Sequence, residues 1–350
     1  MATKAQRLVP KLLRAIHARD VAAARAALDE GADPNGVGGY NATPLGTATS
    51  IFDDAEARDA LTALLLDRGA NPNERGPYGF DNRPIFYAAH CGYDATVRML
   101  LERGGFPRDE SGAPARDGDG STLLALACTS GLRWLVERAF EEGCRADEID
   151  NHGSTPLHYA AVRHGVIQYP LKDTAWIIHT LLDRGARLEH QRPGGWGTAL
   201  HFAVGQGDPA AVRALVSRGA QLEARTDRSM RTPFLVGASS GTVETLRAAL
   251  ELNADRHAID ASGMTALHIA AHHSTHPTRA SSGVVELMLD AGLDANARDH
   301  DGKTPYERAV EMLPRKGRRT PPLDAAQSAV LSNLAARTDP AVVERSKLPR

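Results

Sequence analysis

The sequence predicts an all-α protein, a solenoid of repeated helical pairs. A short motif, which begins with threonine in all but one case, recurs at intervals that range from 33 residues (Thr122 to Thr155) to 43 residues (Thr155 to Thr198). A second pattern, in which glycine follows an apolar stretch of helical period, recurs in step with the first. Together the two patterns divide the chain into units of a helix, a turn, a second helix and a polar connector.

The threonine motif marks the start of the first helix in each unit. Thr155 is a good N-cap, because its hydroxyl can accept a hydrogen bond from an amide of the first turn. Pro156 suits the first helical position, where its fixed φ helps and its missing N–H is not needed. The motif begins at Thr43, Arg83, Thr122, Thr155, Thr198, Thr232, Thr265 and Thr304.

Glycine marks the end of the second helix. Gly31, Gly69, Gly185 and Gly219 each follow an apolar run, such as residues 61–66. A left-handed residue commonly ends a helix, and glycine adopts that conformation without steric cost. The motif and the glycine therefore predict where each helical pair begins and ends.

The run Thr155-Pro156-Leu157-His158, repeated at a period near 33 residues, resembles the ankyrin repeat, which has that length and motif. The resemblance covers residues 8–313, about nine units. The motif histidine is kept at His158, His201 and His268 and replaced at Gly46, Phe86, Ala125 and Leu235. The family resemblance implies an ankyrin-repeat solenoid with β-hairpin fingers as connectors. It also implies a module that binds another protein through its finger tips and concave groove, with no chemistry of its own.

The departures from the regular period define the domain organisation. We expect an N-terminal capping repeat over residues 1–35 and ankyrin repeats over residues 36–313. Residues 314–350 read as a basic, proline-rich linker, a capping helix over 324–336 and a mobile tail from Thr338. Insertions at 50–56, 106–117, 164–174 and 272–283 lengthen loops or connectors, and insertions in repeat proteins fall on one face, which is often the binding face.

Composition bounds the class of partner. A net charge of −2 argues against nucleic acid as a partner, and no apolar run of membrane-spanning length occurs. The three cysteines are odd in number and widely spaced, which is typical of a reducing compartment such as the cytoplasm. We expect a monomer that binds another protein, without cofactors, and delivery of the chain into a host cell stays open.

The resemblance places a set of side chains on the finger tips and at the exposed ends of the first helices. Cys91 and Thr129 are also expected at the exposed ends of first helices. The expected partner-binding residues are Tyr40, Phe80, His90, Tyr93, His152, Arg163, Trp196, Gln206, Arg231, Met264, His272 and His300.

Trp196 has two interpretations. It lies between glycines in a turn, where the family usually has glycine and where little local core needs filling. Aromatic residues are enriched at the centres of protein interfaces, so we expect Trp196, Tyr40 and Phe80 to contact a partner protein. The alternative is that its ring folds back over the next finger and staples the turn.

Other functions fit the residues less well. His268 and His272 share a helix face, a real ligand spacing, yet His268 belongs to the repeat motif and no nearby cysteine or carboxylate completes a metal site. Cys91 and His90 are adjacent on a helix and point in different directions, so they do not form a nucleophile–base pair. The alternatives that stay open are a translocated bacterial effector, an enzyme-inhibiting or toxin-neutralising partner, and a hydrolase or metal-dependent enzyme on the same scaffold.

Overall fold

The structure is a computed structural model of the chain. It describes residues 3–39, 42–74, 83–162, 173–206, 208–240, 242–274, 282–311 and 325–347. Within these residues there are 19 α-helices, a few isolated β-bridges and no longer strand. The predicted all-α ankyrin-repeat class is confirmed, while the count of about nine repeats stays a prediction.

The chain divides into two compact units. The first holds residues up to Ala160 together with Asp183–Ala186, and the second holds Thr174–Leu182 and the chain from Arg187 onward. The helices of the first unit are α1 (Lys4–His17), α2 (Val21–Asp29), α3 (Pro44–Thr49), α4 (Ala55–Asp67), α5 (Pro84–His90), α6 (Asp94–Gly104), α7 (Leu123–Ser130), α8 (Arg133–Glu141) and nearly all of α9 (Pro156–Ala161).

The second unit contains most of α10 and all of the later helices. Their bounds are α10 (Thr174–Asp183), α11 (Ala199–Gln206), α12 (Pro209–Ser217), α13 (Pro233–Ser240), α14 (Val243–Glu251), α15 (Ala266–Ser274), α16 (Ser282–Asp290), α17 (Pro305–Glu311), α18 (Ala325–Arg337) and α19 (Pro340–Lys347). None of the helices in the described residues has both the length and the apolarity needed to cross a membrane.

The helices pair and stack in the same way in both compact units. In the first, α1 pairs with α2, α3 with α4, α5 with α6 and α7 with α8, while α1, α3, α5 and α7 stack in succession. In the second, α11 pairs with α12, α13 with α14 and α15 with α16, and α11, α13, α15 and α17 stack. The predicted pairing of a first and a second helix in each repeat is therefore confirmed in both units.

Local signals account for the helix ends. The Thr43 hydroxyl accepts a hydrogen bond from the Gly46 amide at 3.2 Å, with Pro44 at the first helical position. The four glycines predicted to end second helices, at 31, 69, 185 and 219, all have φ between 84° and 96°. Thr122 departs from the expectation, because its side chain makes no capping hydrogen bond.

The core lies along the starts of the first helices. Leu157 and Leu200 are each 1% exposed and Leu267 is fully buried, as predicted from the motif. Small residues such as Ala203 are also fully buried. Because alanine occupies little space, neighbouring first helices can approach closely while the leucines supply most of the apolar area removed from water.

The C-terminal segment contains more helix than the sequence predicted. The expected capping helix over 324–336 is present as α18, which packs against α16 and α17. The tail from Thr338, which we expected to be mobile, instead includes α19, with Val342 and Val343 buried. Two adjacent β-branched apolar residues that pack against α17 explain this difference.

Candidate binding surface

Tight hairpins connect the helical pairs and form the predicted fingers. In the second unit, the amide of Thr226 donates to the carbonyl of Arg231 at 3.0 Å, and the amide of Asp260 donates to the carbonyl of Met264 at 3.0 Å. The Arg192 amide donates to the Gly197 carbonyl in the same way at 2.9 Å. These hydrogen bonds close each turn, so the tip residues are held in fixed positions.

Backbone hydrogen bonds also join one finger to the next. The Ala261 amide donates to the Ser229 carbonyl at 2.9 Å, and the His300 amide donates to the Ser262 carbonyl at 3.0 Å. We call the tip region of the second unit the finger edge and define it as residues 191–197, 225–231, 259–264 and 299–302. The first finger is joined to the second by a side-chain bond, in which Gln191 Nε2 donates to the Arg225 carbonyl at 3.2 Å. Because each finger is hydrogen-bonded within itself and to the next, the finger edge is a preorganised surface.

An arginine clamp strengthens this linkage, and sequence reasoning missed it. Nη1 of Arg225 donates to the carbonyls of Met230 in its own finger and Ile259 in the next, both at 2.8 Å. In the first unit, Nη1 of Arg116 bonds the Gly120 and Ile149 carbonyls in the same pattern. The sequence signal is an arginine six or seven residues before the helix-starting threonine, at Arg116, Arg192, Arg225 and Arg298.

The clamp predicts a measurable contribution to stability. We expect Arg225→Ala to lower the free energy of unfolding by about 1 kcal/mol, because two hydrogen bonds from a charged but exposed donor are lost. The matched control is Arg228→Ala, since Arg228 is exposed in the same finger and forms no such bonds. Urea unfolding checks this, and equal losses for the two variants would contradict the clamp.

The structure sorts the predicted partner-binding residues by exposure. Tyr40, Phe80 and Arg163 lie outside the described residues. His90, His152, Trp196, Gln206 and His300 are exposed, while Arg231, Met264 and His272 are half-buried. Among these residues, the finger edge brings together Trp196, Arg231, Met264 and His300.

Tyr93 requires a correction, because it is only 8% exposed. The guanidinium carbon of Arg58 lies 3.7 Å from its ring centroid, and its ring meets that of Tyr87 edge-on. Cys91 and Thr129, which we also expected at exposed helix ends, are buried. Tyr93 is therefore part of the packing between α4 and α6 and not of the candidate surface.

The Trp196 ring contacts its own finger and helix α11, whereas a contact with a partner stays a prediction. Its ring centroid lies 6.2 Å from that of Phe202, and the Arg192 guanidinium carbon lies 5.1 Å from the Trp196 centroid. The side chain is nevertheless 53% exposed. Aromatic and cation–π contacts thus fix the ring while about half of its surface faces solvent.

Two further apolar side chains on the finger edge were missed. Met230 and Ile259 are each 44% exposed, although large apolar residues are usually buried. Met230 occupies the position two residues before the helix-starting threonine, which is also the position of Trp196. The signal available in the sequence was that the equivalent residues at 120, 153, 263 and 302 are all glycine.

Ionic contacts hold the half-buried Arg231. Its Nε lies 3.2 Å from Oδ2 of Asp260, which is only 5% exposed. The Arg231 carbonyl in turn accepts a hydrogen bond from His201 Nε2 at 3.1 Å. Arg231 therefore supports the finger edge from beneath, and a direct role in binding a partner stays a prediction.

His268, one of the two histidines with ligand spacing, is engaged in the repeat motif. His268 is buried, and its Nε2 donates to the Lys303 carbonyl at 3.0 Å, so both ring nitrogens are engaged in the repeat motif. No group of three or more His, Cys, Asp or Glu side chains with metal-binding geometry occurs among the residues that the structure describes.

Comparison with known proteins gives the family context. The family model for the ankyrin repeat matches residues 197–227 and 262–300. Over 260 residues, the chain is 25% identical to NF-kappa-B inhibitor delta of Mus musculus, covering 68% of this chain and 68% of that protein. The first matched range includes part of the finger edge and α11, and the second includes parts of its last two fingers together with α15.

Two other relatives match over shorter shares. The chain is 26% identical over 199 residues to a homologue of transient receptor potential cation channel subfamily A member 1 from Caenorhabditis elegans, covering 56% of this chain and 15% of that protein. It is 27% identical over 173 residues to human ankyrin repeat and SOCS box protein 6, covering 47% of this chain and 39% of that protein. The chain thus spans well under half the length of these two relatives.

Proposed function

Because this chain belongs to the ankyrin-repeat family, we propose that it acts by binding another protein through the finger edge of its second unit. The observation that carries the proposal is Trp196, a half-exposed indole fixed by Phe202 and Arg192 on a hydrogen-bonded hairpin. Tryptophan and arginine are the residues most enriched at interface hot spots. The finger edge supplies both on one rigid frame.

Rigidity supports the proposal energetically. A surface that is already ordered loses little conformational entropy when a partner associates, so more of the contact energy appears as affinity. The backbone bonds between the last three fingers, the Gln191 bond from the first finger and the Arg225 clamp provide this order. NF-kappa-B inhibitor delta is named for its action on NF-kappa-B, and that name supports a role exerted through a partner.

We propose no chemistry for the chain itself. An inhibitor or effector role would use the same surface, and the identity of the captured partner distinguishes these possibilities. We also infer a reducing compartment such as the cytoplasm, since Cys91, Cys128 and Cys144 are free thiols and all three are buried.

Site-specific cross-linking tests the surface directly. A photo-reactive benzoylphenylalanine placed at position 196 should cross-link a partner protein in an extract of the source cells. The matched control is the same amino acid at position 247, which is exposed on α14 outside the finger edge. Cross-linking at position 196 alone supports the proposal. A partner captured only at position 247, or equally at both, contradicts it.

The binding energy assigned to Trp196 gives a quantitative prediction. With the captured partner, Trp196→Ala should weaken affinity by roughly 2 kcal/mol, or about thirtyfold, because a central aromatic anchor is removed. Phe52→Ala is the control, since Phe52 is 77% exposed in the α3–α4 loop of the other unit. Isothermal titration calorimetry measures both, and a larger loss for Phe52→Ala would place the binding surface at that loop.

A further inference from the structure

The exposed apolar residues of the second unit lie on consecutive fingers. Among the described residues, seven large apolar side chains are exposed, and three of them are Trp196, Met230 and Ile259. Arg225 bonds the carbonyls of Met230 and Ile259 at the same distance, so these two residues flank one guanidinium. A line of three apolar residues therefore crosses three hydrogen-bonded hairpins.

Met230 is held there against its conformational preference. Its φ is 53°, in the left-handed region that residues with a Cβ rarely adopt. The four equivalent glycines, at 120, 153, 263 and 302, have φ between 73° and 80°. Glycine would satisfy this turn with no steric cost, so the fold itself does not call for methionine at this position. Strained residues that the fold does not require indicate function when they lie on an exposed surface.

Arginines accompany the apolar line. The Arg192 guanidinium stacks on Trp196, and Arg225 lies between Met230 and Ile259. Asp227 and Arg228 both lie beside the finger that carries Trp196, since a Cβ added at Gly195 would be 3.6 Å from Oδ1 of Asp227 and 3.7 Å from Cβ of Arg228. Within the described residues, Arg228 is exposed and forms no ion pair. Three arginines and one exposed carboxylate, that of Asp227, therefore lie along the part of the line that holds Trp196 and Met230.

We propose that the finger edge recognises an acidic protein segment that carries at least one large apolar side chain. The apolar side chain would pack against Trp196 and Met230, and its flanking carboxylates would meet Arg192 and Arg228. This inference rests on the proposed function and deepens it by assigning the chemistry of the partner. Arginine is well suited to the role, because its planar guanidinium can donate two parallel hydrogen bonds to one carboxylate.

A peptide segment fits this surface better than a nucleic acid does. Exposed carboxylates at Asp227 and Asp301 interrupt the positive charge along the edge, and Asp301 is ion-paired with Arg308. A phosphate backbone would meet repulsion at these two points, whereas a side-chain carboxylate can be placed selectively beside each arginine. The net charge of −2 also provides no general attraction for a polyanion.

Selection from a library of short random peptides displayed on phage tests the inference with the full chain. We expect the selected peptides to be enriched in Asp and Glu around Leu, Phe, Tyr or Trp. Their affinity, measured by fluorescence anisotropy, should fall at least about tenfold for Arg228→Glu and for Trp196→Ala. It should also fall as salt is raised, because exposed charges are screened.

The outcomes separate this inference from the proposed function. Selected peptides that are basic or uncharged but still depend on Trp196 would overturn the acidic partner and leave the finger edge as the binding surface. Acidic peptides that bind the Trp196→Ala and Arg228→Glu variants unchanged would overturn the inference, as would recovery of no binding peptide. Tighter binding of a single-stranded oligonucleotide than of any selected peptide would overturn the choice of a protein segment.

Met230→Gly distinguishes a binding role from a structural one. Because glycine suits φ near 53°, the midpoint of urea unfolding should stay unchanged or rise, while affinity for the selected peptides falls about tenfold. Gly263→Met is the reverse control, since Gly263 holds the equivalent position and a Cβ there would lie 2.5 Å from His300 Cδ2. That variant should lose stability. A loss of stability in Met230→Gly with affinity unchanged would overturn the role assigned to Met230.

Discussion

Replacing Leu200 with alanine should lower the free energy of unfolding by about 2–5 kcal/mol, because the change removes buried apolar atoms and leaves a cavity. Leu200 lies in the first turn of α11, is 1% exposed, and belongs to a helix that packs against both α12 and α13. Few neighbouring atoms can relax into the space, since the surrounding Ala203 and Val204 are themselves fully buried.

Leu200→Met is the matched control, because it conserves volume and should cost less than about 1.5 kcal/mol. Urea unfolding followed by circular dichroism and by tryptophan fluorescence measures both variants. The stability of a repeat array is a sum of the contributions of single repeats and of the interfaces between neighbouring repeats. The alanine variant can therefore show partial unfolding as a separate transition. A total loss below about 1 kcal/mol would contradict the assigned repeat register.

Acidification should destabilise the second unit through His201, which is fully buried. The Thr198 amide donates to Nδ1 at 3.0 Å, so Nδ1 must accept, and Nε2 donates to the Arg231 carbonyl. Only neutral imidazole satisfies both bonds. Burial accordingly lowers the pKa of His201 from 6.5 to about 4.

The sign of the effect follows from proton binding. As the pH falls below 6.5 the unfolded chain takes up a proton at His201 that the folded protein does not, so stability declines until the pH reaches about 4. From this one group we expect a free energy of unfolding about 2 kcal/mol lower at about pH 5 than at about pH 7. His268 adds to the decline, since burial also lowers its pKa.

His201→Gln tests this origin by removing the titrating group. The variant is expected to be less stable at neutral pH and to show a visibly shallower loss of stability with acid. His152→Gln serves as the control, because His152 is exposed on a finger of the first unit. An unchanged slope for His201→Gln, or an equal change for His152→Gln, would show that other groups dominate the acid sensitivity.

Local signals in the sequence predicted much of the fold. Threonine caps, proline at the first helical position and terminating glycines act within a few residues, so the sequence alone predicted the starts of the first helices and the ends of four second helices. The burial of Leu157, Leu200 and Leu267 followed for the same reason, because these residues share one register in the repeat. The helix α19 was missed because its stability comes from contact with α17, which no local pattern reveals.

The candidate site was less predictable, since exposure depends on distant neighbours. Tyr93 is buried because Arg58, from the preceding helical pair, lies over its ring. Trp196 was found because its glycine-rich turn is a local feature. Met230 was missed because its importance depends on a backbone conformation and on its alignment with glycines in other repeats. The Arg225 clamp was missed because it depends on backbone carbonyls, which carry no side-chain signature.

The most direct test of the central claim is a paired measurement on the double variant Trp196→Ala, Met230→Gly. Its affinity for the partner cross-linked at position 196 and its urea unfolding midpoint should be determined in the same buffer as those of the unaltered chain. We predict that affinity falls by about a hundredfold or more while the unfolding midpoint is retained. Unchanged affinity, or a loss of stability large enough to account for the weaker binding, would contradict the finger edge as a binding surface.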